Sequence, residues 1–262
     1  MLIDFHTHCF PEKIALKAVT KLHEASGGLK YHTDGTVDGL KQNMLQNGVD
    51  KAVVLNIATN AHQMRSVNDF AVSVNSDNII AFGSVFPDSP DSFDELDRIK
   101  QLGLKGIKLH PDYQGFDIDN EKYKPLYRKI SSLNLITVFH AGFDYGYPPP
   151  YKASPNKSAK AIKWFDSPVV LAHMGGLNQN EEVLNCLAGE NVYFDTAFCY
   201  SSMPRYYAEK IIEKHGVDKI LFGTDSPWRT ANQEKRFVEN IGLTQNEKDL
   251  IYFGNAKKLL NI

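Results

Sequence analysis

Cysteine is scarce in this 262-residue chain: Cys9, Cys186 and Cys199 are the only three, and none forms a C-x-x-C pair. A disulfide framework is thereby excluded as the basis of the fold, and a reducing compartment is expected. Long hydrophobic runs are missing too. Pure apolar stretches stop at a few residues, as in Ala52-Val53-Val54-Leu55, far short of the roughly 18 needed to span a bilayer. Charge of one sign is not in excess: 29 Lys and Arg face 31 Asp and Glu, for a formal charge of −2. That excludes a nucleic-acid binder working through bulk positive charge, and equally a polybasic membrane anchor. No G-x-G-x-x-G or Walker sequence follows any candidate strand, so nucleotide binding has no local support. The start, Met1-Leu2-Ile3-Asp4-Phe5-His6, has no basic segment ahead of an apolar one, and a secretory signal is not expected. These absences predict a cytoplasmic protein with a small-molecule substrate, no nucleic-acid partner and no membrane partner. A homo-oligomer is compatible with the sequence, but nothing in it identifies an interface.

What is present is an alternation. Short β-branched and apolar runs recur at Leu2–His6, Lys51–Ile57, Ile79–Val85, Lys105–His110, Leu135–His140, Pro168–His173, Asn191–Thr196 and Lys219–Thr224. Between them lie stretches with helical periodicity. In Asp91–Leu102 the apolar stripe is Phe93, Leu96, Ile99 and Leu102; in Glu121–Leu133 it is Tyr123, Leu126, Tyr127 and Ile130. Asn178–Ala188 and Arg205–His215 read the same way. The first interval is longer, with a helix near Glu12–Glu24 and a polar, Gly-containing stretch from Ser26 to Gly39. After the eighth run come Gln233–Asn240 and Gln245–Leu260, the latter opened by a Thr244/Glu247 capping box. Eight strand–helix units in about 250 residues predict a single-domain α/β fold over residues 1–262, a (β/α)8 TIM barrel. A doubly wound open sheet is the alternative.

In such a barrel the reaction site lies at the C-terminal strand ends. The first run ends in His6-Thr7-His8, the fourth holds Lys108 and His110, the fifth ends in His140, the sixth in His173, and Asp225 follows the eighth. Side chains alternate faces along a strand. His6 and His8 then share a face with Asp4, opposite Ile3 and Phe5; His140 shares one with Ile136 and Val138, His173 with Val169 and Leu171, and Asp225 with Leu221. On this phasing the polar faces point to the barrel axis and all candidates converge at one mouth. Neutral imidazoles with a carboxylate are the donors of zinc and similar divalent ions. A carboxylate beside a metal-activated water is placed to take its proton.

His6-x-His8, His140, His173 and the Gly-Thr-Asp225 ending resemble the amidohydrolase superfamily of metal-dependent barrels. Leu171-Ala172-His173-Met174-Gly175-Gly176 and Phe222-Gly223-Thr224-Asp225-Ser226-Pro227-Trp228 resemble the amidohydrolase-related branch that includes aminocarboxymuconate semialdehyde decarboxylase. The likeness runs from residue 4 past the last strand. It implies a divalent metal, zinc first, as one or two ions. His6, His8 and Asp225 correspond to one metal site, with Asp225 also the general base. In two-metal members the counterparts of His140 and His173 hold the second ion. In one-metal members His140 joins the first site and His173 polarises water or substrate. Gly106-Ile107-Lys108-Leu109-His110-Pro111 resembles the dihydroorotase motif whose lysine is carboxylated and bridges two metals, so Lys108 is a candidate metal ligand. The resemblance implies metal-dependent hydrolysis of an amide, lactone or ester, with Asp225 and His173 as catalytic residues. The alternative is a metal-dependent decarboxylase of an unsaturated or aromatic acid. A catalytically silent binding barrel is the reading from another class, and it would be marked by missing ligand positions. The TatD-like deoxyribonucleases carry a glutamate where Lys108 stands here, which weakens a phosphodiesterase reading.

His110 is expected to contact substrate or a metal ligand rather than metal. Arg205, Arg229 and Trp228 are in range of the mouth, but both arginines are read as solvated surface charges. The Tyr145–Tyr151 stretch is read as a surface loop or a stiff pocket wall. Cys9 is read as a small residue after the strand, and His23, His32, His62 and His215 as ordinary helix or loop residues.

Overall fold

The computed structural model describes residues 1–262. Eight parallel strands follow one another around a ring: β1 (Ile3–Thr7), β2 (Lys51–Leu55), β3 (Ile79–Phe82), β4 (Gly106–Leu109), β5 (Ile136–Phe139), β6 (Val169–Leu171), β7 (Tyr193–Asp195) and β8 (Ile220–Leu221). Regular pairing joins β1 to β3 and β4 to β8. Two parallel bridges, Gly83 with Ile107 and Thr7 with Ser226, close the ring. Helices between the strands form the outer layer, so the fold is the predicted (β/α)8 barrel. No helix is long and apolar enough to cross a membrane.

Alternation of strand side chains divides the core in two. A shell of 50 buried residues lies between strands and helices. A smaller cluster fills the lumen: Ile3, Phe5, Val53, Leu55, Phe82, Ile136, Val138, Val170 and Leu221, with Ala256 and Leu260 of the last helix against them. Each such side chain contributes about 1.5–3 kcal/mol by leaving water. Gly106 makes room for the largest of them, since a Cβ there would lie 2.4 Å from the Phe82 ring. Lys105 Nζ donates to Leu260 O at 2.6 Å, tying the last helix to the foot of β4. The lumen is therefore packed below, and polar side chains can gather only above it.

The phasing of two strands differs from the expected one. Ile3 and Phe5 line the lumen rather than facing the helices. The β1–β2 register slips by one residue between Asp4 and Thr7, a bulge. It resets the phase, so that His6 and His8 also point inward. In β6 it is Val170 that enters the lumen, while Val169 and Leu171 join the outer shell. His173 reaches the mouth because the chain turns sharply after the strand, with φ of 58° at His173 and 51° at Met174.

Three helix expectations are also corrected. A second helix, Val37–Asn47, begins inside the first long interval, capped by Thr36, whose hydroxyl accepts from Gly39 N. Phe93 is 40% exposed, so the buried stripe of Ser92–Gln101 is Ser92, Glu95, Leu96 and Ile99. The last helix is not uniform: Gln245–Asp249 and Asn255–Leu260 flank a π-helical turn, Leu250–Gly254. Its Thr244/Glu247 capping box is present as expected.

Candidate active site

At the C-terminal end of the barrel the predicted residues do meet. The bulge in β1 delivers His6 and His8. Asp225 sits in the left-handed region, φ 66°, in the turn after β8, a conformation Asp tolerates better than most residues. Asp4 fastens that turn. Its carboxylate accepts from Thr224 Oγ1 at 2.6 Å and Thr224 N at 3.0 Å, and from His6 N at 3.2 Å. Burial pushes the Asp4 carboxyl up to about 7.

Hydrogen bonds assign the imidazole tautomers. His6 Nδ1 donates to Asp195 Oδ2 at 2.8 Å and His8 Nδ1 donates to Leu55 O at 2.8 Å. Each ring therefore presents an unprotonated Nε2 to the mouth. His8 Nε2 lies 3.0 Å, and His6 Nε2 3.6 Å, from Asp225 Oδ1. In these tautomers three electron-pair donors converge, an arrangement that fits a bound cation; without one, a proton on an imidazole takes its place beside the carboxylate. Burial would push the Asp225 carboxyl up, but His6, His8 and His173 hold it well below the usual carboxylate range. The carboxylate is thus ionised and ready to ligate.

A second pair repeats the logic. His173 Nδ1 donates to Ala197 O at 3.1 Å and His140 Nε2 donates to Phe143 O at 3.1 Å. The remaining lone pairs, on His173 Nε2 and His140 Nδ1, face each other at 3.1 Å. That is the spacing of two adjacent ligands about 2.1 Å from one ion. The pair adjoins the first set, with His173 Nε2 4.0 Å from Asp225 Oδ2. The first group offers two nitrogens and an oxygen to a divalent ion, whereas the second offers two nitrogens.

Lys108 rises from β4 into the same space. It is 1% exposed, and its Nζ lies 3.4 Å from His6 Nε2. No carboxylate comes within 4.0 Å of it, since it takes part in none of the molecule's ion pairs. Burial lowers its ammonium pKa to about 8, against the pull of Asp195 and Asp225.

His110 stays out of the donor sets. Its ring stacks on His140 at 4.1 Å and on Tyr113 at 3.7 Å. Its Nδ1 accepts from Tyr113 N, so Nε2 carries the proton and points to Asp144 Oδ2 at 3.4 Å. His110, His140 and Asp144 are close enough to suggest a third cation group, but protons on both Nε2 atoms oppose it. His110 instead fixes the His140 ring, as expected of a residue behind a ligand.

Asp195 lies in the seventh run, and the sequence alone assigns it no role. It is fully buried, and besides His6 it accepts from His173 N at 2.9 Å and Ala197 N at 3.1 Å. Burial alone would raise its carboxyl, but His6 and His173 together outweigh that and hold it below the usual range. The available signal was its inward-facing position at the C-terminal end of β7. Sequence reasoning missed Asp144. Arg229, read as a solvated charge, is half-buried with its Cζ 4.6 Å over the Phe198 ring. Arg205 is a surface residue paired with Glu209 at 2.7 Å. The Tyr145–Tyr151 stretch walls the mouth: Tyr145 packs on Phe198 and Tyr147 on Tyr113. His215, by contrast, is structural, stacked 4.1 Å from Phe194.

The mouth of the barrel thus gathers side chains of the kind that could hold a divalent ion. The amidohydrolase family model matches residues 3–262, and the chain belongs to that family. Among curated proteins none matches. Among solved structures, 5-carboxyvanillate decarboxylase from Sphingomonas paucimobilis is 16% identical, with TM-score 0.72 over 100% of this chain and 99% of that one. A dihydroxybenzoic acid decarboxylase from Polaromonas, with bound manganese and the inhibitor 2-nitroresorcinol, is 16% identical, with TM-score 0.71 over 99% and 96%. A probable 2-pyrone-4,6-dicarboxylic acid hydrolase from Acinetobacter baumannii, with citric acid bound, is 17% identical, with TM-score 0.66 over 100% and 99%. At these identities the likeness establishes the fold.

Proposed function

We propose that the protein hydrolyses a small-molecule amide, ester or lactone at a two-metal site. His6, His8 and Asp225 would hold one ion, His140 and His173 the other, with a carboxylated Lys108 between them. Zinc suits the imidazole donors, and manganese, present in one structural neighbour, is the other candidate. Bound there, the ions would lower the pKa of a water and polarise the substrate's oxygen. Asp225, ionised and at the rim of the donor sets, takes the proton of the attacking water and returns it to the leaving group. Asp195 and the Leu55 carbonyl keep His6 and His8 in the tautomer that leaves Nε2 free. The Phe143 carbonyl likewise keeps His140 in the tautomer that leaves Nδ1 free, and the stacked His110 ring holds its plane.

The observation that carries the two-ion reading is the isolation of Lys108. An ammonium 3.4 Å from His6 Nε2, buried and without a carboxylate partner, competes for the electron pair the site needs. Its neutral amine adds CO2 and releases a proton, forming a carbamate whose negative charge removes that conflict.

A second reading is decarboxylation of an unsaturated or aromatic acid. It is favoured by the decarboxylases among the structural neighbours. Here one ion and His173 would face the substrate, and Asp225 would manage the proton. Isotope labelling separates the two. Lactones, N-acyl compounds and hydroxybenzoates are incubated with the metal-loaded protein in 18O-labelled water or in heavy water. Hydrolysis places labelled oxygen in the product. Release of CO2 with deuterium on carbon, and no product oxygen label, contradicts the hydrolase reading and supports the second.

A further inference from the structure

We propose that Arg229 is a carboxylate-binding residue at the barrel mouth, selecting substrates that carry a carboxylate group away from the reacting bond. This rests on the mouth being the reaction site, but it concerns a group outside both donor sets. Arg229 follows the β8 turn, and its guanidinium lies over one face of Phe198, 4.6 Å from the ring centre. The same Phe198 ring meets His173 edge-on at 5.9 Å. One aromatic ring therefore separates the guanidinium from a residue of the site, a span that a ring-sized substrate covers.

The guanidinium is held but not neutralised. Nη2 donates to Ser201 Oγ at 2.9 Å, and Nη1 makes a long contact with Trp228 O at 3.5 Å. Nε is buried with no partner. No carboxylate lies within 4.0 Å, whereas Arg98, Arg128 and Arg205 each have one. The nearby acid is Glu234, fully buried, whose Oε2 accepts from Tyr200 N at 3.0 Å. Burial raises its carboxyl well above the usual range despite Arg229, so it offers no full countercharge. A half-buried arginine without a counterion carries a desolvation cost that an incoming carboxylate offsets through a two-pronged hydrogen bond.

The surroundings add positive potential. The segment after the first helix crosses the β8 turn, with His32 N donating to Pro227 O at 2.8 Å. Burial, then Lys30 and Arg229, lowers the His32 imidazole pKa, so all three lie near one another. Stacking on Phe198 fixes the guanidinium in advance, which lowers the entropy lost on binding.

The test is calorimetric titration of the metal-loaded protein with benzoate and with its neutral isostere benzamide, at constant ionic strength. Arg229→Gln should raise the benzoate Kd at least 10-fold, with Arg229→Lys between the two. Arg205→Gln should leave it unchanged, and benzamide binding should not respond to any of these. If Arg229→Gln does not fold, phenylglyoxal labelling of the native protein replaces it: benzoate should slow labelling at Arg229 and not at Arg205. Three outcomes overturn the proposal: benzoate binding no tighter than benzamide, benzoate affinity indifferent to Arg229→Gln, or the two ligands weakening together. Benzoate binding that requires the metal but not Arg229 would leave the metal-site reading standing and remove this one alone.

Discussion

Asp195 joins two halves of the site with one carboxylate. Oδ2 takes the Nδ1 proton of His6 at 2.8 Å, and Oδ1 takes the backbone N–H of His173 at 2.9 Å. The first bond sets the His6 tautomer. The second holds a residue whose backbone lies in the left-handed region, a conformation costly for histidine unless its surroundings enforce it. Asp195→Ala should therefore weaken metal binding by about 10–100-fold, read by competition with a chelator of known affinity. Unchanged affinity would mean that Asp195 only fills space.

Gly223 sits against the same pair. A Cβ there would lie 3.0 Å from His6 Cβ and 3.3 Å from Asp195 Cβ. Neither neighbour can yield without moving a donor. Gly223→Ala should cost about 1–3 kcal/mol of stability by overpacking and lower metal affinity beyond that. Chemical denaturation of the metal-free protein and chelator competition read the two effects separately. A stability loss with intact metal affinity would show that the strain is absorbed elsewhere.

His215 gives the fold a pH dependence independent of the donor sets. Burial lowers its pKa to about 4 from the ordinary 6.5. The ring accepts from Gly189 N and donates to Val192 O. Between those two pH values the unfolded chain binds a proton that the folded chain refuses. Stability contributed by the neutral ring is therefore full above 6.5 and declines as pH falls toward 4, by on the order of 3 kcal/mol. His215→Gln should be less stable at pH 7 yet show a shallower decline over that window in urea unfolding of metal-free protein. Parallel curves for the two proteins would contradict the assignment.

The barrel and most of its mouth were legible because they depend on local patterns. Eight apolar runs at strand–helix spacing specify the ring, and donor-type residues at the ends of the first, fifth, sixth and eighth runs specify the site. What local pattern could not supply was phase. The bulge after Asp4 adds a residue to β1 through pairing with β2, so Phe5 and His6 both face inward, which no alternation rule predicts. His173 enters the site through a backbone turn rather than along its strand. Asp195 has no role legible in the sequence because its work is done on residues distant in sequence, His6 and His173. Phe93 was misassigned because helical spacing gives a stripe but not which side of the helix faces the barrel; Ser92 and Glu95 take that side instead. Arg229 reads as a surface charge in the sequence, since only the fold lays Phe198 beneath it.

The proposed function turns on two adjacent cation sites with Lys108 beside them. Its most direct test is metal content per chain by elemental mass spectrometry, on protein prepared with bicarbonate and supplemented with zinc or manganese. Two equivalents are expected in the native protein, falling to one or fewer in Lys108→Ala and lost in His6→Ala. One equivalent in the native protein, unchanged in Lys108→Ala, would contradict it.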